Sequence, residues 1–194
     1  MVIVRRKRGV AALGGAVALA LALAGCGGDG GDGKAASAPS TANVTSVPPT
    51  SAADPQAAEK TAVLAAYNAM TEQEAKAYAK ADTNGTQLEK YATLDALGQI
   101  RVAVARMKEA GTVVRGEVGH DAKVTALDMD TKTPKATLSD CVDLSNYQTW
   151  DIRAKKAIPL PSNQPLRYVA TATAEKWPTG WIVTSVNFQG GPTC

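Results

Sequence analysis

The sequence predicts an α+β domain, with helices first and antiparallel strands after them, the helices packed on one face of the sheet. Three observations predict it. Between residues 54 and 110, apolar residues recur at three- and four-residue intervals. Beyond Gly111 they alternate with polar ones at intervals of two. Ahead of both, residues 27–53 offer almost nothing that could pack, so the folded part is residues 54–194, the length of one domain.

The chain opens on a compact basic group, Arg5, Arg6, Lys7 and Arg8, followed by an unbroken run of Ala, Leu, Val and Gly from Val10 to Ala22. A run of this kind, about 7–15 residues and followed by small residues, reads as the core of an export signal. It falls short of the ~20 apolar residues of a membrane-spanning helix. It ends at Leu23-Ala24-Gly25-Cys26, which resembles the lipobox of bacterial lipoproteins. That resemblance implies a signal peptide over residues 1–25 and acylation of Cys26 as the mature N-terminus. The protein would then sit outside the cytoplasm, on the outer face of the cytoplasmic membrane. The Arg pair leaves both the general and the twin-arginine export routes open.

Residues 26–53 form the predicted tether, rich in Gly, Ser, Thr and Pro. Gly27-Gly28-Asp29-Gly30-Gly31-Asp32-Gly33 cannot bury surface to offset its chain entropy. It is no phosphate loop, since no strand precedes it and no Gly-Lys-Ser/Thr closes it. Treated as a flexible coil, the tether reaches roughly 30 Å. With the four leader cations set aside, 17 basic residues face 18 acidic ones, a net charge of −1. A chain so nearly neutral has no electrostatic footprint for nucleic acid.

Asp54-Pro55 supplies an N-cap acceptor and a proline for the first turn of a helix running to about Lys80. Val63, Leu64, Tyr67, Met70 and Tyr78 form its apolar stripe. Asp82-Thr83-Asn84-Gly85 stops it. A short helical piece, Gln87 to Tyr91, follows. A third helix, Leu94 to Ala110, carries Leu97, Ile100, Val104 and Met107 on one face and ends at Gly111.

Strands are expected over Thr112–Val118 and Lys123–Met129, flanking a Gly119-His120-Asp121 turn, then over Lys135–Leu144, Leu166–Ala174 and Trp181–Phe188. Trp177-Pro178-Thr179-Gly180 has proline and glycine at the second and fourth places of a tight turn, making the last two strands a hairpin. Ser145 to Pro165, with prolines at 159, 161 and 165, reads as a long polar loop.

Three helices followed by a strand meander resemble the NTF2-like, cystatin-type cone, which implies a curved antiparallel sheet. The chain also resembles a set of actinobacterial secreted lipoproteins of unknown function. The residues that carry this are the lipobox, the tether, the Tyr-bearing first helix, Asp140-Cys141-Val142-Asp143, Pro159-Leu160-Pro161, Ala174 to Pro178, and Cys194. The resemblance implies a fold and an address, not an activity.

With Cys26 lipidated, Cys141 and Cys194 remain as the one pair, expected to bond in an oxidising compartment. Cys141 alternates with the apolar positions of its strand, so the bridge belongs on the outer face. The single histidine, His120, falls in the expected turn as a solvated residue. Asp140 shares the face of Leu138 and Val142, and a carboxylate there is the one candidate for a general base. The alternatives are a bulge at Asp140, or pairing with Arg115 or Arg167. Asp128-Met129-Asp130 is too sparse to hold a metal, and no cofactor motif is present. Trp150, Trp177 and Trp181 fit an aromatic platform or packing around the hairpin. Tyr67, Tyr91 and Tyr168 would line the cone, presenting ring area and hydroxyls to a ligand.

Three function classes remain. One is a non-catalytic envelope module binding a protein partner or a small apolar ligand. The second is a small cone-fold enzyme, of isomerase or hydrolase type, using Asp140. The third is a structural envelope accessory. A single histidine and no convergent titratable pair favour the first, and whether the cone is hollow decides among them.

Overall fold

The computed structural model describes residues 54–188 and 193–194. The predicted leader, Cys26 and tether lie outside the described residues. Three helices come first: α1 (Ala57–Tyr78), α2 (Leu88–Tyr91) and α3 (Leu94–Ala110). Asp54 accepts from the Gln56 N–H at 2.9 Å and from Lys60 Nζ at 2.7 Å. It therefore closes the turn ahead of α1 rather than capping the helix itself, and α1 starts two residues after Pro55. Val63, Tyr67 and Met70 of the expected stripe are buried, and Leu64 and Tyr78 pack partly buried beside them. α3 ends where glycine allows it: Gly111 takes the left-handed φ of 69°, and its N–H donates to the carbonyls of Lys108 and Met107.

The strands form two antiparallel sheets. β2 (Gly119–Asp128), β3 (Lys135–Asp143), β6 (Arg167–Trp177) and β7 (Gly180–Phe188) make a four-stranded sheet in that order. β1 (Thr112–Gly116), β4 (Tyr147–Asp151) and β5 (Lys156–Ile158) make a three-stranded sheet, ordered β1-β4-β5. The α+β class and the helix-then-strand order hold, with two corrections.

The first concerns residues 145–165, expected as one loop. They contain β4 and β5, because Tyr147, Thr149 and Trp150 are strong strand formers that pair with Gly116, Val114 and Val113 of β1. The second concerns Gly119-His120-Asp121, expected as a turn and found inside β2. The chain turns earlier, at Gly116, whose φ is 76° and where a Cβ would fall 1.8 Å from the Asn146 carbonyl oxygen. Gly119 serves a different purpose: it lies opposite Asp143, where a Cβ would come within 3.1 Å of that residue's own Cβ. Its lack of a side chain marks a close strand approach.

The four-stranded sheet turns one face to the helices. Ala136, Leu138, Asp140 and Val142 of β3 are buried there, and the register sets Ala136, Leu138 and Asp140 against Ala174, Ala172 and Ala170 of β6. Alanines opposite the larger β3 residues leave room for α1 and α3 to lie across the sheet. Bulges between Val124 and Ala126 in β2, and at Thr184 of β7 opposite Thr173 and Ala174 of β6, bend the bulged strands. Trp181 and Val183 bring β7 into the core, and the Thr93 N–H donates to the Val183 carbonyl at 2.9 Å. On the outer face of β3, Cys141 is joined to Cys194, with Cα atoms 5.9 Å apart.

Candidate functional site

Between the helices and the two sheets lies a cavity of about 1130 Å³. It is hollow because short side chains face it: Ala75 and Ala79 from the α1 side, Ala96, Gly98 and Ala103 from α3. Its walls are mainly apolar, with Ile100, Val114, Val142, Leu160 and Val186 contributed by five different segments. At its rim Leu94, Val102 and Phe188 stand 65%, 49% and 58% exposed. Large apolar side chains left in water around an apolar hollow are characteristic of binding surfaces.

At one part of the wall the chemistry is polar. Asp140 is fully buried, and its Oδ2 accepts a hydrogen bond from the Tyr67 hydroxyl at 2.9 Å. The same Oδ2 lies 2.6 Å from Nδ1 of His120. Two strands and a helix place these groups. In the β2–β3 register Ala122 faces Asp140 and His120 faces Val142, so the imidazole sits diagonally across from the carboxylate on the same face. Tyr67 reaches down from α1 and meets the His120 ring edge to face, with centroids 6.2 Å apart. The Nδ1–H tautomer suits this contact and leaves Nε2 as the ring nitrogen available to the cavity. Asp140 does not line the cavity, whereas Tyr67 and His120 do. Among the described residues, Asp140 Oδ1 is buried without a protein partner.

Beside this network stands Glu74, one α1 turn pair from Tyr67 and on the cavity wall. Burial raises its carboxyl above the usual glutamate range, against the opposing influence of the Tyr78 hydroxyl and of His120. Burial first and then the carboxylates raise the nearby tyrosines. Asp140 is the main charge acting on Tyr67, and Glu74 on Tyr78 and Tyr168. Their hydroxyls thus stay protonated donors. Tyr147 also lines the cavity, so four of the chain's five tyrosines converge on it.

The expected site residues are distributed as follows. Tyr67 and Tyr168 line the cavity. Tyr91 does not: it packs partly buried against the core, with Lys90 Nζ 5.1 Å from its ring centre. Asp140 sits on the apolar face as the alternation implied, but its partners are Tyr67 and His120, not an arginine. Arg115 lies over the Trp150 ring at 3.6 Å, and Arg167 stands 3.7 Å from Asp143. The tryptophans form no platform on the cavity wall. Trp181 donates from its indole N–H to Glu59 on α1, and Trp177 donates to Glu175.

His120, Glu74, Tyr78 and Tyr147 were not among the expected site residues. The turn-like Gly-His-Asp string concealed His120, and Glu74 lies in the charged stretch Glu72 to Lys76, outside the apolar stripe of α1. Among the described residues no cluster of three or more His, Cys, Asp or Glu could hold a metal ion, and no helix is long and apolar enough to cross a membrane.

No family model and no curated protein matches the sequence. Among solved structures, the crystal structure of the intermembrane space region of the chloroplast protein ARC6 is similar over 68% of this chain and 97% of that one. The identity is 11% and the TM-score 0.46.

Proposed function

We propose that the chain is exported, lipidated at Cys26 and held outside the cytoplasmic membrane. There its domain, of the NTF2-like cone type, takes a small and largely apolar ligand into the cavity. The address rests on the basic-plus-apolar leader and the Leu23-Ala24-Gly25-Cys26 string, and the Cys141–Cys194 bond suits an oxidising compartment. Two acyl chains anchor stably where one is marginal.

The cavity carries the functional reading. Ligand sites are typically hollows of about 300–1,000 Å³, mostly apolar, with a few convergent polar groups. This one has about 1130 Å³, walls from α1, α3 and both sheets, and one polar patch. A ligand at about 100 times its dissociation constant would stabilise the fold by roughly 2.7 kcal/mol. Thermal-shift screening of the lipidated protein against small apolar compounds should therefore find saturable stabilisation. Ala103→Trp, which fills the α3 side of the hollow, should abolish it. A screen without stabilising compounds, or a tryptophan variant that responds like wild type, sinks the reading.

A second reading has one specific observation in its favour. The Asp140 carboxyl, fully buried with one oxygen unpartnered among the described residues, holds His120 at 2.6 Å. A buried polar atom left unpaired calls for a reason beyond stability. Here the reason would be to orient an imidazole for proton transfer, with His120 touching the substrate and Asp140 positioning it. Turnover of any screened compound by wild type, lost in Asp140→Asn while binding persists, would establish this enzyme in place of the passive binder.

A further inference from the structure

We infer that the ligand of this cavity carries an amine or ammonium head group, seated against Glu74 among Tyr67, Tyr78, Tyr147 and Tyr168. The inference rests on the reading of the cavity as a ligand site and adds the ligand's charge.

Three observations converge on it. The first is the sign of the charges that face the hollow. Glu72 and Glu74 face it from α1, Asp95 from α3 and Glu117 from the segment between β1 and β2, against the one guanidinium of Arg106 and the imidazole of His120. The second is that the inner carboxyl lacks a permanent counter-charge. Glu72 is paired with Lys76 at 2.6 Å, but among the described residues no lysine or arginine forms an ion pair with Glu74. His120, whose charge acts on Glu74, is already engaged with Asp140. The third is aromatic density. The four tyrosines come from α1, β4 and β6, and Tyr67, Tyr78 and Tyr168 are near enough to Glu74 to feel its charge.

A carboxylate set among aromatic rings is the arrangement that recognises organic cations. The rings attract the cation through their quadrupoles, and the carboxylate supplies the counter-charge. An anionic head group seated there would instead meet the like charge of Glu74, with Arg106 of α3 the one guanidinium on the wall to receive it. The apolar walls contributed by α3, Leu160 and Val186 would hold the rest of the molecule. The elevated carboxyl of Glu74 adds a consequence: a bound cation favours its ionised form, so protonating Glu74 at lower pH weakens the cation's binding.

The test uses three probes of one chain length, octyltrimethylammonium, 1-octanol and octanoate, titrated calorimetrically into wild type, Glu74→Gln and Tyr78→Phe. Both substitutions keep the shape of the side chain, and a single cooperative thermal transition without probe, no lower than that of wild type for Glu74→Gln, confirms that they fold. The expected order is ammonium above octanol above octanoate. Glu74→Gln should weaken the ammonium about tenfold, one decade of affinity, and leave octanol unchanged. Tyr78→Phe should retain the ring attraction and most of the affinity. In wild type, affinity for the ammonium should fall as the solution is acidified, and affinity for octanol should fall less. Octanoate binding as tightly as the ammonium, or a Glu74→Gln variant that binds the ammonium like wild type, overturns the head-group inference and leaves the cavity reading standing. No binding of any probe overturns both.

Discussion

At the scale of single residues, the polar patch holds two carboxyl groups in different surroundings. Asp140 is fully buried and hydrogen-bonded, while Glu74 is pushed toward its protonated form by burial. For an acid whose folded pKa is raised, the unfolded chain gives up its proton first. Stability is then lost as pH rises from the ordinary glutamate value, about 4.3, through the higher folded value. Glu74→Gln removes this loss. It should raise the thermal midpoint relative to wild type at pH 7, and the difference should vanish once the pH is brought below the ordinary glutamate value. A variant with a lower midpoint at pH 7 would mean that Glu74 already has a cationic partner. Much of this patch was legible in the sequence. The period of two in β3 put Asp140 on the face of Leu138 and Val142, and the 3.6-residue period put Tyr67 on the buried stripe of α1. That the two meet was not legible, because the sequence fixes which face a side chain takes and not how far along the sheet a helix crosses. His120 was hidden for a local reason: a glycine beside a histidine and an aspartate has turn composition, whereas Gly119 here admits a close neighbouring strand.

At the scale of elements, the helices were the most legible part. α1 and α3 each repeat a periodic apolar face over several turns, and Gly111 marks an end that only a left-handed residue could make. Short strands carry less pattern. β4 has five residues and β5 three, so the prolines and polar residues around them outweighed their alternation, and only pairing with β1 reveals them. The disulfide is an element-scale device: it ties the outer face of β3 to Cys194 across a sequence separation of 53. In the chain-entropy model, closing a loop of that length stabilises the domain by about 4 kcal/mol. Replacing both cysteines by serine should remove most of this. Urea unfolding of the double variant would show a lower midpoint and a steeper slope, since the freed unfolded chain exposes more surface, and equal midpoints for variant and wild type would mean that the bridge adds nothing to the fold.

At the scale of the whole molecule, a hollow of this size must be spanned by contacts around it, because the side chains that would fill it are absent. One such tie is the Tyr67–Asp140 hydrogen bond, between sequence positions 73 residues apart. Another joins the start of α1 to the β6–β7 hairpin. Glu59 accepts from Lys176 Nζ through one carboxylate oxygen and from the Trp181 indole N–H through the other. Lys176 first and Trp181 second hold the Glu59 carboxyl below the usual glutamate range. For an acid lowered in this way the sign is the reverse of Glu74. Its contribution is fully present above the ordinary value of about 4.3 and is lost as pH falls through the lower folded value. Glu59→Gln keeps the side chain's size and an acceptor for the indole but loses the ion pair. It should therefore be less stable than wild type at pH 7, and the two melting curves should converge as the solution is acidified past the folded pKa of Glu59. Pairs as exposed as this one are screened by salt, so the gap should also narrow at high ionic strength. Because the tie holds the helix layer against the sheet beside the hollow, a loosened α1 should show first as faster amide exchange in its opening turns, ahead of any change in β3. A gap independent of both pH and salt would assign the stabilisation to packing of the Glu59 stem against Trp181 rather than to its charge.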